Sequence, residues 1–255
     1  MTTPMTFTLV GGPTAVIEYA GLRMLTDPTF DPPGVYEGGI PLHKLVGPAL
    51  SPDEVGGIDV VLLSHDQHPD NLDHAGRDFL SRASAVLSTP EAAARIPGVI
   101  GLAAWETHSV GDVEIVAVPA LHGPEGAEAL SGPVTGFLLR APEQPTVYVS
   151  GDNASVALVA EIVAQVDVID IAVLFTGAAN VGRFGDSDLT LNARTAVAAA
   201  RALGDAVIVP PTPRDGITSA RHARGSCGSS STPGSPTGCG CRSTACRWSS
   251  RSIPF

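Results

Sequence analysis

The chain has 255 residues, of which 44% are hydrophobic and 16% charged, and a mean hydropathy of +0.20. That composition suits a globular protein with a sizeable core and excludes a disordered one. The net charge of −11 argues against a general nucleic-acid binder, which needs a basic footprint. No apolar run reaches the ~18 residues of a membrane span and Met1–Thr6 lacks the charged start of a signal peptide, so the expectation is a cytoplasmic protein without a membrane partner.

In chain order, Thr6–Val10, Thr14–Tyr19 and Leu22–Thr26 are β-prone runs parted by Gly11-Gly12-Pro13 and Ala20-Gly21, the pattern of an antiparallel meander. Pro28–Gly57 is rich in glycine and proline and reads as a long surface loop. Asp59–Leu63 predicts a buried strand and Val113–Val118 a second one. Thr135–Arg140 and Thr146–Val149 predict a hairpin across Ala141–Pro145. Ala154–Gln165 and Leu191–Leu203 predict helices, the second capped by Thr190. Val168–Phe175 and Ala206–Pro210 are apolar strands. A meander followed by strand–helix alternation predicts a mixed α/β (α+β) architecture of two sheets with helices outside them.

Polar clusters sit directly after the apolar strands, where a rigid sheet would present them to a cleft. The densest runs from Ser64 to His74 and includes His65, Asp66, His68, Asp70, Asn71 and Asp73. So many imidazoles and carboxylates on one loop need protons or a metal to relieve them, and neutral imidazole with carboxylate suits zinc, manganese or iron. The alternative is a solvated turn followed by a helix cap. His122, in Pro119-Ala120-Leu121-His122, and Asp152, in Ser150-Gly151-Asp152, also follow strands. Alone, the first reads as a loop histidine, the second as a helix cap and Asp27, in Thr26-Asp27-Pro28, as the start of a turn. His43 lies in the glycine/proline loop and is a candidate for a cleft mouth, whereas His108 reads as exposed. No phosphate-binding loop or nucleophile elbow is present.

The order of these groups resembles the metallo-β-lactamase-fold hydrolases, specifically the small bacterial metal-dependent branch, over about residues 5–210. The resemblance implies an αββα sandwich with the site at one edge of the paired sheets. It implies that His65, His68 and His122 hold a first divalent metal, zinc before manganese or iron. Asp152 would bridge to a second metal, and Asp70 would bind that metal and act as the catalytic residue that orients the attacking water. The substrate would be a small ester, lactone, amide or phosphodiester. The family signature is H-x-H-x-D-H, whereas this chain reads His65-Asp66-Gln67-His68-Pro69-Asp70-Asn71. There is one residue more between the histidines, and Asn stands where the last His belongs. A shifted register would put Asp66 in the first ligand place instead of His65. His74 could substitute for the missing His but reads as the start of a helix. These departures keep open a catalytically impaired member that binds a metal or small ligand without turnover.

Residues 1–213 therefore read as one hydrolase domain and 214–255 as an irregular tail. The tail carries six arginines, ten serines, a single acid (Asp215) and all four cysteines: Cys227, Cys239, Cys241 and Cys246. Their spacing fits no zinc ribbon or knuckle, and the segment has no helical or strand periodicity. An out-of-frame reading accounts for this. Ile217–His222 can be written in codons that, moved by one base, encode Asp-His-Phe-Ser-Glu-Ala, which would return a histidine shortly after the last strand.

Overall fold

The computed structural model describes residues 5–38, 40–211, 217–219 and 247–249. In chain order the elements begin with strands β1 (Thr6–Gly11), β2 (Thr14–Tyr19), β3 (Leu22–Thr26), β4 (Gly34–Tyr36) and β5 (Leu42–Lys44). Helix α1 (Pro52–Val55), β6 (Ile58–Leu62), α2 (His74–Phe79), β7 (Ala83–Ser88), α3 (Pro90–Arg95) and β8 (Val99–Gly101) follow. The second half holds β9 (Thr107–Val110), β10 (Val113–Pro119), α4 (Glu128–Ser131), β11 (Thr135–Arg140), β12 (Val147–Val149), α5 (Val156–Gln165), β13 (Ile171–Val173), α6 (Ala193–Ala202) and β14 (Val207–Val209). Two short strands, β15 (Ile217–Ser219) and β16 (Arg247–Ser249), lie beyond it.

One sheet runs β16-β1-β2-β3-β6-β7-β8 and the other β14-β13-β12-β11-β10-β9. The expected meander is present: β1, β2 and β3 pair antiparallel, after which β3, β6, β7 and β8 run parallel. The second sheet repeats the scheme, with β9 to β12 antiparallel and β12 to β14 parallel. Parallel neighbours need a crossover, and α3, α5 and α6 supply such connections.

Strand alternation builds the layers. Val60 and Leu62 of β6 face Ile115 and Ala117 of β10 in a core between the sheets, together with Ile17, Met24, Phe137 and Val149. The intervening Val61 and Leu63 turn outward to Phe79, Leu72 and Val55 under α1 and α2. Val116 and Val118 of β10 turn outward to Val159 and Ile162 of α5 and Ala199 of α6. The result is helix, sheet, sheet, helix: the αββα sandwich. A strand buried on both faces needs no polar alternation, which is why the sequence runs apolar without a break from Val60 to Leu63. Each fully buried valine, leucine, isoleucine, phenylalanine or methionine among them contributes about 1.5–3 kcal/mol.

Three local expectations change. Helix α6 is capped by Asn192, not Thr190: Asn192 directly precedes the helix, its side chain accepts from the Arg194 and Thr195 N–H groups, and Thr195 returns a bond to the Asn192 N–H. Thr190 is two residues too far back, and its hydroxyl accepts from the Ala179 N–H at 3.1 Å. The loop of residues 28–57 contains the β4–β5 hairpin, with β15 pairing on β5 in a three-stranded sheet. It is pinned by a buried ion pair in which Lys44 Nζ donates to Asp73 Oδ2 at 2.9 Å. His108 is half-buried within β9. The four cysteines lie outside the described residues. Among the described residues no helix is long and apolar enough to cross a membrane.

Candidate metal centre

The Ser64–His74 loop leaves the end of β6, Asp27 the end of β3, His122 the end of β10 and Asp152 the end of β12. These strand ends meet at one edge of the sandwich. There His65, His68 and His122 each offer a ligand atom, all within 4.8 Å of one another. Their ring centroids are 4.8, 5.2 and 5.0 Å apart.

The hydrogen bonds behind the rings fix their orientation. His122 Nδ1 lies 2.9 Å from the Leu189 carbonyl oxygen, which can only accept, so Nδ1 carries the proton and Nε2 is left as the free ligand. Ser64 Oγ donates to Asp27 Oδ2 at 2.8 Å and lies 2.9 Å from His65 Nδ1. With its hydrogen so committed, the hydroxyl accepts from His65 Nδ1–H, and the chain runs His65, Ser64, Asp27. His65 Nε2 then turns a lone pair toward His68 Nδ1 at 2.8 Å. Two ring nitrogens at that separation must share a proton or a cation.

Electrostatics keep the three rings neutral. Burial is the first cause that holds all three imidazoles below their ordinary pKa; for His65 the neighbouring His122 and His68 add to it, and for His68 and His122 the carboxylate of Asp70 works the other way. Neutral imidazole is the metal-binding form. The Asp152 carboxyl is pushed up to about 8 by burial and then by Asp70, and Asp27 to about 8 by burial and then by Asp152. A site that disfavours both imidazolium and carboxylate is one that a divalent ion would relieve, so the residues present fit such an ion.

Asp66 is turned away from the imidazoles. Its carboxylate is held by Arg95, Oδ2 to Nε at 2.9 Å and Oδ1 to Nη2 at 2.5 Å, and so faces α3 and not the imidazoles. His65 takes the place beside His68. Asp152 is buried beside His122, its Oδ2 3.7 Å from His122 Nδ1. Asp152 is also not the helix cap it resembled, because Ser155 caps α5. Asp70 lines the cavity over the histidines. Asn71 is buried, and its Nδ2 donates to Asp27 Oδ2 at 3.1 Å, so its amide supports a carboxylate. Asp27 accepts three bonds, from the Ser64 N–H, the Ser64 hydroxyl and Asn71. It holds them from a left-handed backbone at φ 28°, a strained conformation for a residue with a side chain.

Two other histidines stay outside. His74 is exposed at the start of α2, with Nδ1 3.0 Å from Asp31 Oδ2. His43 lies half-buried in β5, away from the cavity lining.

A cavity of about 280 Å³ opens on the imidazoles. Asp70, His68 and His122 are part of its lining, with Tyr36, Ile40 and Leu42 of the β4–β5 hairpin and Val181, Phe184 and Leu189 of the segment before α6. Neither wall was signalled by the sequence, because both are loops whose side chains converge only in the folded chain. Leu189 has a double part, since its side chain lines the cavity while its carbonyl orients His122.

A family described as the beta-lactamase superfamily domain matches residues 22–211. Among solved structures, the fold is shared with an isothiocyanate hydrolase from Delia radicum gut bacteria, at 23% identity and a TM-score of 0.69 over 81% of this chain and 84% of that one. A possible metal-dependent hydrolase from Veillonella parvula is similar at 19% identity and a TM-score of 0.68, covering 82% and 85% of the two chains. A metallo hydrolase from the archaeon Ignicoccus hospitalis is similar at 19% identity and a TM-score of 0.61, covering 82% of each. No curated protein matches the chain.

Proposed function

The chain belongs to the beta-lactamase superfamily, in its metallo-β-lactamase fold, and from that premise we propose that it is a metal-dependent hydrolase of a small ester, lactone, amide or phosphodiester. The observation that carries the reading is the trio His65, His68 and His122, with ligand atoms within 4.8 Å and second nitrogens tied to protein oxygens for two of the three. The solved neighbours described as metal-dependent hydrolases support it.

In this reading His65 Nε2, His68 Nδ1 and His122 Nε2 would hold the ion, with Asp152 beside them. A divalent ion there, zinc before manganese or iron, would acidify a water and polarise the oxygen of the bond to be cut. Asp70, on the cavity lining, orients the attacking water and takes its proton. Asp27 keeps the His65 loop in place through Ser64 and Asn71. The apolar walls exclude bulk water, and the 280 Å³ volume suits a small molecule. We place the protein in the cytoplasm on its sequence.

A second reading, an impaired member that binds without turnover, is favoured by Asn71, whose amide is committed to Asp27. With Asn71 so placed, a second ion would rest on Asp70 and Asp152, oxygen ligands that suit a harder and more weakly held metal. Metal analysis and titration of the purified protein test both readings. The hydrolase reading expects one tight ion, lost in His65→Ala, and turnover of an activated ester that manganese stimulates more than zinc. An ion retained in His65→Ala would refute the site, and tight binding without turnover would select the second reading.

A further inference from the structure

The side chains that line the cavity include one cation, Arg183. Five other cationic side chains are engaged with acids: Arg23 with Glu18, Lys44 with Asp73, Arg82 with Asp53, Arg95 with Asp66 and Arg140 with Glu114. Arg77, Arg194 and Arg201, which like Arg183 form no ion pair among the described residues, are not on the cavity lining. Arg183 forms no ion pair among the described residues. Its Nη1 donates to the Leu130 carbonyl of α4 at 3.3 Å, which leaves other guanidinium N–H groups to be satisfied by water or a ligand. The loop that carries it is cross-tied at its base, where the Asn180 side chain accepts from the Gly182 N–H at 2.8 Å and donates to the Ser187 carbonyl at 3.2 Å. Arg183 is thus held toward a cavity in a chain of net charge −11. The bland alternative, a surface arginine that tethers the loop to α4, accounts for the Leu130 bond but not for its place on the cavity lining.

We propose that Arg183 selects substrates that carry an anionic group, a carboxylate or phosphate, remote from the bond that is cut. His68, His122 and Asp70 mark the reacting part of the cavity lining. Tyr36, Ile40, Leu42, Val181 and Phe184 surround an apolar body, and the guanidinium receives the anion with charge-assisted hydrogen bonds. Glu37, exposed on the hairpin, is the other acidic residue of the lining besides Asp70 and does not pair with Arg183. This assignment rests on the hydrolase reading for the nature of the reacting part, but the anion site itself can be measured apart from turnover.

The test is calorimetric binding to the full chain, zinc-loaded and metal-free. The probes are straight-chain monoacids of three to seven carbons, the matching α,ω-dicarboxylates and the matching ω-phosphono acids. At the best chain length the second anionic group is expected to tighten binding by about 5- to 10-fold, as for a partly exposed charge-assisted bond. Whichever anion gains more names the source. In the zinc-loaded chain Arg183→Gln should erase the gain and Arg183→Lys should keep part of it; in the metal-free chain, where Arg183 is the cation of the lining, Arg183→Gln should also weaken monoacid binding. The residue is exposed, so both variants should melt with the wild type. No gain at any length, or a gain that survives in Arg183→Gln, overturns the proposal. Failure of the hydrolase reading looks different: zinc does not bind the trio, yet the chain binds the monoacids and loses that binding in Arg183→Gln.

Discussion

Gly151 joins the two halves of the site, and a single methyl group there tests how closely they approach. It precedes Asp152, has φ +54°, and a Cβ at this position would lie 2.5 Å from the Thr135 carbonyl oxygen and 2.8 Å from the Ser64 Cβ. Thr135 N–H in turn donates to the Ser64 carbonyl at 3.0 Å, so neither neighbour can retreat alone. Gly151→Ala therefore carries two costs. The left-handed backbone costs about 1 kcal/mol, and the overlap with backbone costs about 1–3 kcal/mol more. Gly204 separates them: its φ is +66° and nothing lies within 4 Å of a Cβ there, so Gly204→Ala bears the first cost alone. At about 2–4 °C per kcal/mol for a chain of this size, Gly204→Ala should lower the melting temperature by about 2–4 °C and Gly151→Ala by about 4–16 °C. Gly151→Ala also presses on Ser64, next to His65, so zinc affinity should fall by about 10- to 100-fold, while Gly204→Ala leaves it unchanged. Thermal denaturation in chelator, followed by zinc titration, reads both effects. Equal melting temperatures for the two variants, or unchanged zinc affinity in Gly151→Ala, would refute the close approach of the Asp152 and His65 loops.

Three further outcomes are expected. Ser88 is fully buried and its hydroxyl has no hydrogen-bond partner among the described residues, so Ser88→Ala should raise stability by about 0.5–1 kcal/mol in urea denaturation, and a loss would mean the hydroxyl is satisfied. Asp73 accepts from the Phe30, Asp31 and Gly76 N–H groups as well as from Lys44. Asp73→Ala would strand a buried ammonium and three donors at a cost of about 3–5 kcal/mol, whereas Lys44→Met leaves the carboxylate with three donors and should cost clearly less; the reverse order in denaturation would contradict this. Burial pushes the Tyr19 hydroxyl up to about 12, with its proton donated to the Pro145 carbonyl at 2.9 Å. A raised folded pKa means that its contribution is intact below the ordinary tyrosine value near 10 and is lost as pH rises toward 12. Tyr19→Phe should flatten that alkaline decline in melting temperature.

The sequence exposed those parts of the molecule that depend on near neighbours. β6 is apolar on both faces and is followed at once by Ser64 and His65, so strand and site could be located together. The order of Asp27, His65, His68, Asp70, His122 and Asp152 then implied the fold. Contacts made far along the chain were not legible. Spacing could not separate His65 from Asp66, because the Arg95 that turns Asp66 away from the imidazoles lies 29 residues along the chain. Asn71 read as a lost ligand, whereas its buried amide serves a carboxylate 44 positions earlier. The β4–β5 hairpin escaped notice because strands of three residues among glycines and prolines show no alternation. Nothing in the sequence marks Arg183; only the fold sets it on the same cavity as His68.

The imidazoles do not all hang from one sheet. His65 and His68 follow β6 in the first, and His122 follows β10 in the second. An ion gripped by all three is a cross-link between the halves of the sandwich, one that dissolves when the ion leaves. Its strength is set by supply: at a free concentration 100 times the dissociation constant it adds about 2.7 kcal/mol to the folded state, and at scarcity nothing. A stability change of that size alters how much of a protein survives proteolysis in a cell several-fold. The amount of this protein would then follow the metal available to it, so that copies without an ion are the first to be cleared.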